Sequence, residues 1–300
     1  MAERYADQAA GLRRLFARES LRVVSFASGS PGAGKSLLVA NVAACLAWAG
    51  KSVLVFDENA GRRNIASSFG ATDSAAPYDL SHVIDRKKPI ADVLLNVAPG
   101  IQVLPAADAV KHLGKLNESQ GQALLEGLCA LEELPDVILV DTSRDHPLGF
   151  SPLGLAAHDT VIVMTPMPAS ITDAYALIKK VSIGYDRRNY RVLVNGVRGV
   201  EEGRVVFGNI AQVAHKKRFA HLEFAGCIPL DEHMPRAAAL RQPACALYPE
   251  SPAARACRAL ADDLLNWRLP DGGSDSGGLE QFVLHLLHLS KYIDPVAIYA

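Results

Sequence analysis

The run Gly29-Ser30-Pro31-Gly32-Ala33-Gly34-Lys35-Ser36 sets glycines, a lysine and a hydroxyl in the spacing GxxxxGK[ST]. Glycine lets a backbone curl until successive N–H groups point inward. A helix opening at the end of such a loop adds positive potential at the same spot, so the chemistry this spacing suits is phosphate binding. Lys35 is placed to reach the outer phosphates and Ser36 to ligate Mg²⁺. Leu37 completes the first helical turn, and the candidate nucleotide-binding stretch runs from Gly29 to Leu37. A glycine-rich turn that binds nothing is the alternative, and the strand before the loop and the helix after it argue against that.

Such a loop needs elements to hold it. Short β-branched runs alternate with longer Ala/Leu-rich segments, the pattern of βαβ units around a parallel sheet. Strands are predicted at 22–28, 52–57, 101–105, 137–141, 160–165, 191–195 and about 221–228. Helices are predicted at 35–49, about 119–131, 171–181, 205–217 and 253–267. The runs 137–140 and 161–164 are almost unbroken in apolar character, as central strands covered on both faces require. The fold class expected is α/β, a doubly wound and mostly parallel sheet with helices on both faces, spanning residues 20–268. Residues 1–19 form a basic, amphipathic arm. "PDGGSDSGG" reads as a flexible linker over 269–278, and residues 279–300 hold an apolar candidate helix and a tail.

Composition narrows the class. Of 300 residues, 49% are hydrophobic and 21% charged, which suits a large core and excludes global disorder. A formal net charge of -1 argues against holding nucleic acid by bulk electrostatics, so no direct nucleic-acid partner is expected. Five scattered cysteines without a CxxC pair fit reduced thiols better than zinc or disulfides. No signal-peptide pattern and no apolar run of membrane-spanning length is present, so a cytoplasmic protein is expected, with contact at the inner face of the membrane left open.

Beyond the loop, "GKSVLVFDEN", "DVILVDTS", "DTVIVMTPMPASITDAYALIKKV", "VLVNGV" and "GCIPLDEHMPRAAALRQP" follow in an order and spacing that resembles the MinD/ParA clan of P-loop ATPases over about residues 20–265. The resemblance implies ATP and Mg²⁺ as ligands. It implies catalytic roles for Lys35, Asp57, Asn59 and Asp141, and a metal site at Ser36 and Asp141. It implies that Asn195 recognises adenine while Pro229 and Asp231 close the pocket; a strand-end Asn and a turn Pro are the plainer reading of these residues. It also implies a nucleotide-dependent homodimer.

Within the clan, "DQAAGLRRLF" resembles the arm of FlhG/FleN-type regulators of flagellar number and placement. There the arm is a helix that docks on an FlhF-like GTPase and stimulates it. The resemblance carries that role onto Asp7, Gln8, Ala9, Leu12 and Arg13. Flagellar switch-complex or flagellar transcription-regulator proteins are further partners it implies.

The sequence departs from the clan in three places. Ser30 and Pro31 stand where the clan's loop carries its first lysine and a glycine. Asn59 stands where the second Asp of the DxD motif orients the attacking water, and the segment after Asp141 lacks an early glycine. Asn keeps the shape of Asp but cannot take a proton. Loss of a cation at the transferring phosphate costs about 10³–10⁵ in rate where the cation is an arginine finger. The expectation is therefore ATP·Mg²⁺ binding with hydrolysis that is slow or dependent on a partner, unless Arg62 or Arg63 supplies the missing charge. In the last segment Leu279, Phe282, Val283, Leu286, Leu289 and Ile293 make one apolar face, with Gln281, His285 and His288 opposite. Two readings stay open for it: insertion at a membrane surface, or docking into a groove of the ATPase domain or of a partner.

Overall fold

The apolar runs at 137–140 and 161–164 lie in the middle of the sheet, where both faces are covered. The computed structural model describes residues 21–59, 61, 64–71, 77–143, 150–268 and 278–292. The arm with Asp7, Gln8, Ala9, Leu12 and Arg13 lies outside them. So do Arg62, Arg63, Ile293 and residues 269–277 of the linker.

Eight strands make one sheet: β1 (Arg22–Ala27), β2 (Val53–Asp57), β3 (Leu95–Ala98), β4 (Ile101–Pro105), β5 (Val137–Asp141), β6 (Asp159–Met164), β7 (Asn189–Val197) and β8 (His221–Pro229). Their order is β3-β4-β2-β5-β1-β6-β7-β8, and all neighbours are parallel except β3 and β4. From β1 the chain winds one way to β2 and later the other way to β6 and β7. The loop after β1 therefore opens at a switch point, where a crevice forms outside the strand ends. Register fixes the level of the acidic residues: Asp57 of β2 is paired with Asp141 of β5, and Asp141 with Phe26 of β1.

Helix α1 (Lys35–Trp48) is followed by the short α2 (Leu80–Ile84) and α3 (Ile90–Val93), then α4 (Glu118–Cys129) and α5 (Pro152–Ala156). The second half contributes α6 (Pro168–Tyr185), α7 (Val200–Lys217), α8 (His233–Ala239), α9 (Ala244–Leu247), α10 (Pro252–Asn266) and α11 (Leu279–Tyr292). On one face of the sheet, α1 and α10 pack over Val24, Phe26, Val55, Leu139 and Val163. Helix α1 is buried nearly all round, from Leu38 to Leu46, because it lies between the sheet and α10. The other face carries α2–α5 and α11 over Val23, Phe56, Ile138 and Val140, with α6 and α7 over Ile162, Val192 and Val194. Each such side chain, fully buried, stabilises the fold by about 1.5–3 kcal/mol.

Two differences from the sequence reading have local causes. Helices α6 and α7 begin earlier than expected because Pro168 occupies the first turn of α6 and the polar Glu201 and Glu202 start α7; both residue types suit an N-terminus and blur the apolar period. The edge strand β3 was not expected: it is four residues long, irregular in register and only partly buried.

The last helix is docked. Leu279, Phe282, Val283 and Leu286 are buried against α4, α5 and the 3₁₀ turn at Leu113–Lys115, and Phe282 packs its ring against Phe56 of β2 with centroids 6.2 Å apart. The apolar face read from the sequence is the docking face.

Candidate nucleotide site

At the exit of β1 the chain enters the glycine loop with Gly32 at φ 74° and Gly34 at φ 85°. Both lie in the left-handed region, where a side chain would strain the backbone. Gly29 has another constraint: a Cβ there would come within 2.3 Å of the Asp173 carbonyl oxygen in α6. Helix α1 then starts at Lys35 with no side-chain cap and no acidic residue in its first turn. Its first amides are left to an external acceptor, the arrangement that attracts an anion.

Lys35 is buried at 7% exposure and its Nζ forms an ion pair with Oδ1 of the fully buried Asp141. Asn59 reaches into the same cluster, its Nδ2 donating to Oδ2 of Asp141 at 2.7 Å and Oδ1 of Asp57 at 3.1 Å. Asp57 also accepts from the backbone N–H of Asn59 at 3.0 Å and of Ile65 at 2.6 Å. Burial, then the charge of Asp141, push the Asp57 carboxyl above the usual carboxylate range. The four residues predicted as catalytic are thus brought together, and Asn59 supplies two donors at a place where a carboxylate would meet two others.

Glu58 was missed. A single acidic residue between two motif positions reads as solvent-facing, yet Glu58 is 2% exposed. Its Oε2 accepts from the Ser143 backbone N–H at 2.8 Å and its Oε1 from the Ser151 hydroxyl. Desolvation pushes its carboxyl up to about 7 even though both hydrogen bonds act the other way.

Ser30 is turned inward. Its hydroxyl lies 2.9 Å from that of Ser170 in α6, which also accepts the Thr165 backbone N–H at 3.0 Å. The position that carries the clan's first lysine here braces the loop against its own domain. Pro31 beside it is exposed.

In β7, the Asn195 amide donates to the Ala33 carbonyl at 2.8 Å, and its Nδ2 would lie 2.3 Å from a Cβ on Gly34. Pro229 ends β8, opposite Val197. Asp231 accepts from the His233 backbone N–H at 2.9 Å, from its ring at 2.7 Å and from the Ala253 backbone N–H at 3.0 Å, which ties the strand exit to the start of α10. Burial alone would raise its carboxyl, but these donors hold it down at about 2.

The residues present fit a nucleoside triphosphate with Mg²⁺. Left-handed glycines at 32 and 34, an uncapped helix start and a buried ammonium suit a phosphate group, and Ser36 with Asp141 would offer hard oxygen donors to the cation. Bound Mg²⁺ would neutralise charge developing on the phosphates. Among the described residues no group of three His, Cys, Asp or Glu side chains is arranged to hold a metal on its own.

Comparison with known proteins identifies the family. The family profile described as "CobQ/CobB/MinD/ParA nucleotide binding domain" matches residues 24–244. The antiactivator FleN of Pseudomonas aeruginosa is 30% identical over 278 residues, covering 92% of this chain and 97% of FleN. The flagellum site-determining protein YlxH of Helicobacter pylori is 29% identical over 203 residues, 67% of each chain. Among solved structures, the MinC:MinD cell division protein complex of Aquifex aeolicus superimposes with a TM-score of 0.63 at 25% identity, over 84% of this chain and 98% of that one. MinD of Pyrococcus horikoshii complexed with Mg-ADP gives 0.58 at 20% identity, over 81% and 96%, and speaks for the fold alone. With the phosphate cradle, the acidic pair and these likenesses together, the chain belongs to the MinD/ParA family of nucleotide-binding P-loop proteins, on its FleN/FlhG branch.

Proposed function

We propose that this protein is an ATP-binding regulator of flagellar number and placement whose nucleotide state controls dimerisation and partner engagement. The observation that carries the nucleotide half is the buried Lys35–Asp141 pair beneath a loop with left-handed glycines at 32 and 34. The likeness to FleN over nearly its whole length supports the flagellar half. With a nucleotide bound, Lys35 would hold the outer phosphates, and Asp141 and Ser36 would hold Mg²⁺, whose charge would offset that of the phosphates. Asn59 can hold a water by hydrogen bonding but cannot take its proton. Ser30, tied to Ser170, supplies no charge across a dimer interface. Hydrolysis is therefore slow or dependent on a partner's cation.

The base would lie near Asn195, with Pro229 and Asp231 on the far wall. The N-terminal arm, through Asp7, Gln8, Ala9, Leu12 and Arg13, would act on an FlhF-like GTPase. Docked as it is, α11 buries its apolar face in the protein, so membrane contact would require it to leave. With Lys291 its one Lys or Arg, lipid charge would add little.

The test is GTP turnover by a purified FlhF-type GTPase from the same organism, with the full chain added in wild-type form or as Gln8→Ala. Stimulation by the wild type and its loss in the variant is the expected result. An unstimulated GTPase would contradict the flagellar assignment of the arm and leave a nucleotide-dependent positioning protein with another cargo.

A further inference from the structure

Glu58 follows Asp57 and precedes Asn59, so it is rigidly attached to the strand exit that faces the phosphates. Its carboxylate is turned away from them. One oxygen takes the Ser143 backbone N–H, two residues past Asp141, and the other takes the hydroxyl of Ser151. Ser151 is also the N-cap of α5, accepting from the Gly154 N–H at 2.9 Å. One buried side chain thus grips the chain just after β5 and the start of α5.

What α5 touches gives the grip a consequence. Gly154 lies so close to Thr142 that a Cβ would stand 2.9 Å from its methyl group, so α5 rests directly on the end of β5. On its other side α5 packs against α11. Leu153 shares a cluster with Leu279, Phe282, Val283 and Leu286, and His285 reaches the backbone of Ala156. Packed elements of this kind shift as bodies and do not deform smoothly. A carboxyl buried as deeply as Glu58 is costly unless its oxygens are hydrogen-bonded. Here both oxygens are spent on joining the exit of β5 to the cap of α5.

We infer that Glu58 is a positioning residue: it couples the strand exit carrying Asp57 and Asn59 to α5, and through α5 to the docked C-terminal helix, so that the seating of both helices follows the occupant of the phosphate loop. The inference rests on the proposed ATP site. Its distinctive content is that the coupling runs through the Glu58–Ser151 contact. Removing that contact should disconnect the helices from the nucleotide and leave the nucleotide bound.

The experiment is amide hydrogen exchange on the full chain with Mg·ATPγS and with Mg·ADP, comparing wild type, Glu58→Gln, Ser151→Ala and Ser151→Thr. Nucleotide affinity is measured on each by fluorescence titration. In the wild type, exchange within 152–156 and 279–292 is expected to differ between the two nucleotides by about fivefold or more, the lower end of usual coupling. Glu58→Gln and Ser151→Ala should erase that difference while the first turn of α1 stays equally protected. Ser151→Thr, which keeps the hydroxyl, should retain it. A merely structural role would raise exchange alike in both nucleotide states and leave the difference in place, and that result overturns the inference. So does a wild type that binds both nucleotides with no difference at the two helices. A wild type that binds no nucleotide contradicts the functional reading and this inference together, and the titration identifies that case.

Discussion

On the phosphate side of the site, between β1, β2 and β5, Lys35, Asp57, Asn59 and Asp141 are bonded mainly to one another. On the base side, Asn195 and Asp231 bond to backbone groups of the loop, the strand exit and α10. Ligand can compete for the first set by exchanging one charged partner for another. Residues of the second set hold the walls in place, and a ligand there would meet surfaces they have already positioned. The difference teaches which substitutions should act on binding and turnover and which on the fold.

The largest break is expected at Lys35→Ala. It removes the cation from the phosphates and leaves Asp141 buried without its partner. Loss of charged hydrogen bonds worth about 1.5–3 kcal/mol each should weaken ATP binding by about 100-fold or more. Breaking this buried ion pair, with Asn59 left as a donor to Asp141, should cost about 3–5 kcal/mol of stability. Isothermal titration and chemical denaturation of the same variant separate the two effects.

Asn59→Asp comes next. It would exchange two hydrogen-bond donors for a third negative charge beside Asp57 and Asp141, lowering stability without nucleotide by about 1–3 kcal/mol. With Mg·ATP bound, the new carboxylate can accept a proton from water, and turnover should rise by about 10- to 100-fold. A variant with unchanged phosphate release would show that another missing group, such as the cation absent at Ser30, limits the reaction.

Much of the phosphate side was legible because its residues lie in short local runs after strands. The parallel register that brings Asp57 level with Asp141 follows once those strands are adjacent. Glu58 was not legible, because alternation along a strand gives no sign of a polar side chain buried just past its end. The bracing of Ser30 by Ser170 joins residues far apart in sequence, and no local signal carries such a contact. The inward face of α11 was legible from its period, although its partner surface on α4 and α5 was not. The helices at 80–84, 90–93 and 152–156 are too short to show a period.

Asp231 sharpens the comparison from the structural side. Its folded carboxyl at about 2 lies below the ordinary value of about 3.9. The stabilisation is therefore fully present above that ordinary value and is lost as pH falls from about 4 toward 2. Asp231→Asn should lower stability at neutral pH by about 1–2 kcal/mol and flatten the acid limb of the denaturation profile, with ATP affinity nearly unchanged. A large loss of affinity would move Asp231 into the binding set.

The smallest effect is expected at Asn195→Ala, which removes one hydrogen bond to the Ala33 carbonyl. A net hydrogen bond within the protein should cost about 1 kcal/mol of stability, with nucleotide binding weakened only as far as the loop loosens. If Asn195 acts only as a brace, ATP and GTP weaken equally. If it reads adenine as well, ATP loses more.

Intact binding with impaired hydrolysis, as proposed, is best checked by measuring Mg·ATP binding and phosphate release on one sample of the wild-type chain. The expected result is Mg²⁺-dependent binding with release at or below about 10⁻³ s⁻¹, the scale of an unassisted P-loop hydrolase. Failure to bind ATP, or partner-free release on the order of 1 s⁻¹, would contradict it.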